Sequence, residues 1–133
     1  MKYLLDSNTC IRHLNRRSPE IIDRLALLPP DEIAVCSVVK AELFAGAQKS
    51  QHPIRTLQRQ LEFLDQFVSL PFDDAAAHEF GRIRAILESA GTPIGPYDLQ
   101  IAAIALVYGL IVITHNVREF GRVPGLPIED WES

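Results

Sequence analysis

Only two cysteines occur in 133 residues, without CxxC spacing and without an accompanying histidine, so neither a disulfide framework nor a thiolate metal site is available. Cys10 and Cys36 stand in apolar surroundings and read as small buried hydrophobes suited to a reducing cytosol. Basic charge is also short. Thirteen Lys and Arg against 17 Asp and Glu leave a formal net charge of -4, which excludes nucleic-acid binding driven by bulk charge and leaves only local patches to support it. Long hydrophobic runs are missing too. Asp6 interrupts the apolar N-terminus after three residues and Gly109 breaks the stretch from Ile101 to Ile113, so no signal-peptide core or membrane span is read and a cytoplasmic location is expected. No GxSxG elbow, no paired Cys and His, and no phosphate-cradling glycine loop appears. His13, His52, His78 and His115 lack ligand spacing, and His115 reads as a surface turn residue.

What is present is a core-forming pattern. A hydrophobic content of 47% over this length predicts one compact domain spanning residues 1–133. Tyr3-Leu4-Leu5 predicts a very short strand, followed by turn and N-cap chemistry at Asp6-Ser7-Asn8 and a helix carrying Ile11 and Leu14. Ser18-Pro19-Glu20 opens a second helix, Ile33 to Cys36 has the length and composition of a buried strand, and Ser37 starts a helix that contains Glu42. A longer helix is expected from Pro53 to Gln66 and a strand at Phe67-Val68-Ser69-Leu70. Asp73 or Asp74 then caps an amphipathic helix with Ala76, Phe80, Ile83 and Leu87 on one stripe. Gly95-Pro96-Tyr97-Asp98 opens a helix apolar almost all round, which belongs in the interior, and Leu110 to Ile113 supplies a fourth strand. Strands alternating with helices predict an α/β fold: a central parallel sheet of four to five short strands with helices on both faces, and a ligand crevice outside the carboxyl ends of the strands.

Three acids mark that edge. Asp6 directly follows a strand and Asp98 sits in the first turn of the interior helix, while Glu42 shares its helix with Val38, Val39, Ala41, Leu43 and Phe44. Each has a plain reading: Asp6 as an N-cap, Asp98 as a partner of the helix dipole worth roughly 0.3–1 kcal/mol, Glu42 as a solvated side chain. Together with Asn116, which follows the fourth strand, they come from four chain segments and aim at one sheet edge. Clustered carboxylates repel unless a hard cation lies between them, and oxygen ligands without His or thiolate suit Mg²⁺ or Mn²⁺ rather than zinc. Such an ion supports phosphodiester cleavage without a protein nucleophile.

Four segments, Leu4-Leu5-Asp6-Ser7-Asn8, Ser37-Val38-Val39-Lys40-Ala41-Glu42-Leu43, Thr92-Pro93-Ile94-Gly95-Pro96-Tyr97-Asp98-Leu99-Gln100-Ile101-Ala102-Ala103 and Thr114-His115-Asn116-Val117-Arg118-Glu119-Phe120, in this order resemble the PIN domain, and more narrowly VapC-type toxins of bacterial toxin–antitoxin pairs. The resemblance extends to Val123-Pro124-Gly125-Leu126 and the closing Ile128-Glu129-Asp130-Trp131. It implies an Mg²⁺-dependent endoribonuclease that cuts structured transfer or ribosomal RNA and inhibits translation, a homodimer, and a cognate VapB-type antitoxin that lays a peptide into the groove. By position, Asp6 and Asp98 become the principal metal ligands, Glu42 the third acid and Asn116 the fourth polar residue, whose neutrality favours one well-held ion. Asn8 and Thr114 are implied to orient this edge by hydrogen bonding.

Arg12, Arg16, Arg17, Arg118 and Arg122 are candidates to grip RNA phosphates, with solvated ion pairs as the competing reading. A haloacid-dehalogenase-like phosphatase would need a second Asp where Asn8 stands, and a receiver domain would need an adjacent acidic pair and a late Lys that are not found. The remaining rival is a catalytically silent module of the same architecture that binds RNA or protein without metal.

Overall fold

The computed structural model describes residues 1–132. Five short parallel strands form one sheet: β1 (Tyr3–Leu5), β2 (Ile33–Cys36), β3 (Val68–Leu70), β4 (Ile111–Ile113) and β5 (Ile128–Glu129), in the order β3-β2-β1-β4-β5. The three inner strands are continuous apolar runs because both faces of the sheet are covered, and Leu4, Leu5, Ala34, Val35 and Val112 are fully buried. Four strands were explicit in the residue pattern. The fifth has only two residues, too few to show any periodicity, and forms by pairing Ile128 with Val112 and Glu129 with Ile113.

Helices make the crossovers that parallel neighbours require. α1 (Ser7–Leu14) and α2 (Pro19–Ala26) connect β1 to β2, α3 (Ser37–Gln48) and α4 (Pro53–Leu64) connect β2 to β3, and α5 (Asp74–Ser89) and α6 (Pro96–Tyr108) connect β3 to β4. The chain moves outward from β1 to β3 and then crosses back to β4. With right-handed crossovers, this reversal puts the two sets of helices on opposite faces. The starts follow local chemistry: Ser18 accepts a hydrogen bond from the Ile21 amide at 3.3 Å with Pro19 at the first helical position, and Asp73 accepts one from the Ala76 amide at 3.0 Å.

α6 is the interior element its composition predicts. Ile101 to Ala105 are wholly buried, and each of its large aliphatic side chains contributes roughly 1.5–3 kcal/mol through removal from water. Gly109 ends it in the left-handed conformation, φ 66°, which a side chain would strain. Its amphipathic partner α5 packs along it through Ala76, Ile83 and Leu87. Cys10 and Cys36 are buried free thiols, and burial pushes Cys36 up to about 11. No helix among the described residues is long and apolar enough to cross a membrane.

Candidate active site

The strand order reverses between β1 and β4, and there the two chains leave the sheet side by side. Leu5 pairs with Ile113, and the Asp6 amide continues the ladder by donating to the Ile113 carbonyl at 3.2 Å. Asp6 and Thr114 therefore emerge together at the switch point, where doubly wound sheets form their ligand crevice. A short helix α7 (Val117–Phe120) follows the β4 exit and carries Glu119 back toward this edge.

Asp6 is only 3% exposed. Its Oδ1 caps α1 by accepting from the Thr9 amide at 2.8 Å, so the N-cap reading of this residue holds alongside its place at the edge. The Thr114 hydroxyl accepts from the Asn116 backbone amide at 2.9 Å and lies near enough to the Asp6 carboxylate to favour its charged form. The Thr9 hydroxyl stands within reach of both Asp6 and the Ile113 carbonyl, 3.1 Å from the latter, and its single hydrogen serves one at a time. Burial raises the Asp6 carboxyl above its ordinary range; these hydrogen bonds oppose the rise, and the charge of Glu42 adds to it.

Asp98 opens α6 half-buried. Burial first, then the charge of Asp6, then a hydrogen bond with Glu119 and its charge push its carboxyl up to about 6, against a smaller opposing effect from Asn116. The Asn116 side-chain Nδ2 lies 3.3 Å from Asp98 Oδ2 and 2.9 Å from Glu119 Oε2, so its two hydrogens bridge the two carboxylates. Glu42 completes the group from α3. The Ser7 hydroxyl, in the first turn of α1, donates to its Oε1 at 2.7 Å and fixes α3's acid against α1.

Electrostatics ties Asp6 to both Glu42 and Asp98, and Asp98 to Glu119. Among the described residues no Lys, Arg or His makes an ion pair with any of these four. The patch of negative charge is thus compensated only by hydroxyl and amide dipoles. All its ligating atoms are oxygens, the donor set of a hard divalent cation. As the side chains lie, no three acids, histidines or cysteines among the described residues close into a cage. An ion here would take protein oxygens on one side and keep water or phosphate oxygens on the other, which is how Mg²⁺ is commonly held.

Of the residues implied by the motifs, Asp6, Glu42, Asp98, Asn116 and Thr114 converge. Asn8 is exposed, and its neighbours Ser7 and Thr9 make the hydrogen bonds at this edge instead. The helix begins at Ser7, so Ser7 and Thr9 turn inward while Asn8 turns out. Glu119 lies in the fourth motif, where the sequence pattern gives it no role of its own. Its signal is the three-residue spacing from Asn116, which one turn of helix folds onto the same side.

The arginines divide. Arg118 is exposed on α7 beside Asn116 and Glu119. Arg122 donates to the Pro93 carbonyl at 3.0 Å and steadies the loop that presents Asp98. Arg12 lies 2.8 Å from Glu132 and also donates to the Arg17 carbonyl at 3.5 Å, while Arg16, at φ 52°, and Arg17 sit just beyond the far end of α1 from Asp6. His115 is exposed and pairs with Asp130 at 2.9 Å.

Comparison with known proteins gives the family. The PIN domain family model matches residues 3–126. The tRNA(fMet)-specific endonuclease VapC of Salmonella typhimurium is 42% identical over 131 residues, covering 98% of each chain, and Ribonuclease VapC2 of Haemophilus influenzae is 39% identical over 98% of each. Among solved structures, the DNA-bound VapBC complex of Salmonella typhimurium superposes with a TM-score of 0.93 at 42% identity over 98% of each chain. VapBC-1 of nontypeable Haemophilus influenzae gives 0.90 at 33% identity over 100% of each. With sequence, sheet order and full-length coverage in accord, the chain belongs to the PIN domain family, among its VapC ribonucleases.

Proposed function

We propose that this protein is a divalent-metal-dependent endoribonuclease, using Mg²⁺ with Mn²⁺ as a substitute, and that it acts as the toxin of a toxin–antitoxin pair by cutting structured RNA of the transfer or ribosomal class. The carrying observation is the patch of Asp6, Glu42, Asp98 and Glu119 at the switch point of the sheet, which no Lys, Arg or His among the described residues pairs with. The relatives whose names specify tRNA(fMet) make initiator tRNA the first substrate to test. The crystallised VapBC complexes of Salmonella typhimurium and Haemophilus influenzae support a VapB-type antitoxin as the restraining partner. A homodimer and action in the cytoplasm complete the reading.

Asp6 and Asp98 would hold the ion, since the charge of Asp6 reaches Asp98 and each of the two is raised by burial and by like charge. When bound, the ion supplies a Lewis acid at the phosphoryl oxygen and lowers the pKa of attacking water. Glu42 would serve as the general base: Ser7 holds its Oε1, which leaves Oε2 for a proton. Asn116 spaces Asp98 and Glu119 with its two donated hydrogens, one to an oxygen of each. Arg118, exposed on α7, would draw an RNA phosphate against this group.

The test is to incubate purified protein with initiator tRNA, bulk tRNA and ribosomal RNA, with Mg²⁺, Mn²⁺ or chelator, and to map the 5′ ends of the fragments. Cleavage at one or a few positions that stops in chelator is expected. Unchanged cutting in chelator would refute the metal dependence, and tight RNA binding with no product under any metal would favour the silent module.

A further inference from the structure

A groove of about 590 Å³ runs alongside the acids, between α3 and the first turns of α6, and the chemistry described so far does not use it. One wall is α3, where Ala41, Ala45 and Gly46 leave the helix surface low, and a side chain at Gly46 would meet only open space. The other wall is Tyr97 and Gln100. Along α3 the groove runs from Ser37 and Val38, where the helix leaves the sheet edge, past Glu42 to Lys49 at its far end. Tyr97 is 57% exposed, immediately before Asp98, an unusual place for an aromatic ring unless something covers it. The other well-exposed tyrosine, Tyr108, is at the opposite end of α6.

Resting on the reading above, we propose that this groove holds an unpaired nucleotide adjacent to the cut, its base stacked on Tyr97 and its phosphate on Lys49. A ring face beside an exposed wall of small residues suits a planar base, and stacking of this kind is indifferent to sequence but needs a base free of its helix. Gln100, with an amide that both donates and accepts, is placed to read the edge of that base. Lys49 is exposed and makes no ion pair among the described residues, so its ammonium is available to a phosphate. Seven residues of helix separate it from Glu42, roughly 10 Å at about 1.5 Å per residue, so it grips a flanking phosphate and not the scissile one. The chemistry of the groove therefore selects RNA cut in a loop over the same sequence cut in a duplex.

The test uses an RNA hairpin that the wild-type protein cuts in its loop, a duplex of the same sequence, and 2-aminopurine placed next to the cut site. Tyr97→Ala should raise KM about tenfold with kcat little changed, and Tyr97→Phe should restore it. On an Asp6→Asn background that binds without cutting, 2-aminopurine fluorescence should be quenched when Tyr97 is retained or carries the Tyr97→Phe change, and not when it carries Tyr97→Ala. Lys49→Gln should lower the slope of log K against log salt by about 1, and Ala45→Phe, on an exposed helix position, should fill the groove and raise KM. Equal cutting of loop and duplex, unchanged KM in Tyr97→Ala, or loss of dimer or antitoxin binding in that variant with RNA kinetics intact would each overturn the proposal. Failure of the wild type to cut any RNA would instead defeat the endoribonuclease reading.

Discussion

Replacing Asp98 with Asn should kill the enzyme and, without metal, stabilise the protein. The new amide fits the existing hydrogen bonds: its oxygen accepts from Asn116 and its nitrogen donates to Glu119, where the carboxylate faced another acid. What disappears is a charge that burial, Asp6 and Glu119 disfavour, pushing the carboxyl from 3.8 to about 6. A shift of that size in a dry site corresponds to about 3 kcal/mol, and solvent screening of a half-buried group reduces this to roughly 1–2 kcal/mol. At this chain length that raises Tm by about 4–8 °C. The sign depends on pH. Below the unfolded value the group is protonated in both states and costs nothing; as pH rises through about 6 the folded state loses its proton and carries the full repulsion. The variant's advantage should therefore be complete at about pH 8 and shrink to about a fifth of that near pH 4. Calorimetry in chelator at both pH values measures it, and added Mg²⁺ should reverse the order by stabilising only the wild type. A variant less stable than wild type at pH 8 in chelator, or a gain independent of pH, would refute electrostatic repulsion at this edge.

Asp6→Asn should leave circular dichroism unchanged, because the Asn oxygen still caps the Thr9 amide, yet lower cutting by at least about a hundredfold through loss of an ion ligand; near-normal activity would remove Asp6 from the site. Ser7→Ala should cost less than about 1 kcal/mol in chemical denaturation, since Glu42 remains partly open to water, but reduce kcat about tenfold with unchanged Mg²⁺ titration. An equal loss in Glu42→Gln alone and in the double variant would show that Ser7 acts only through Glu42. Ile104→Ala, in the middle of the buried helix α6, should cost about 2–5 kcal/mol in urea unfolding; a change under about 0.5 kcal/mol would mean that α6 does not anchor the fold.

Features set by a few neighbouring residues were legible in the chain. Val35 and its neighbours formed an uninterrupted apolar run and became a central strand; Pro19 after Ser18 marked a helix start; the nearly charge-free segment after Asp98 became the buried helix. Asp6 could be placed at the sheet edge because a strand must end where its apolar run ends. What could not be read depends on distant partners. β5 exists only through its ladder with β4, and Arg12 is held by Glu132 from the other end of the chain, which no local pattern announces. Glu119 lay on a four-residue helix too short for periodicity, so its approach to Asp98 was invisible until β4 and α6 were side by side. Asn8 against Ser7 and Thr9 turned on the rotation of α1 about its axis, and a shift of one residue in the start of a helix changes which side chains face inward.

The two sides of the edge are built differently, and the difference bears on how an ion is admitted. Asp6 is fixed from several directions, by the Thr9 amide, the Thr114 hydroxyl and the β1–β4 ladder, and it sits on the rigid inner strands. Asp98 and Glu119 are held mainly to one another and to Asn116, Asp98 on a helix entered from the loop that Arg122 steadies and Glu119 on the short α7. Such a pair carries a carboxyl near 6 that gives up a proton as a cation arrives, so metal uptake should release protons most steeply around that pH. A rigid acid on one side and a polarisable acid pair on the other let the same fold tolerate the empty state and still present full negative charge once an ion is bound. Asn116 suits this arrangement better than Asp would: a further carboxylate between Asp98 and Glu119 would add repulsion where the amide supplies two hydrogens that bridge them.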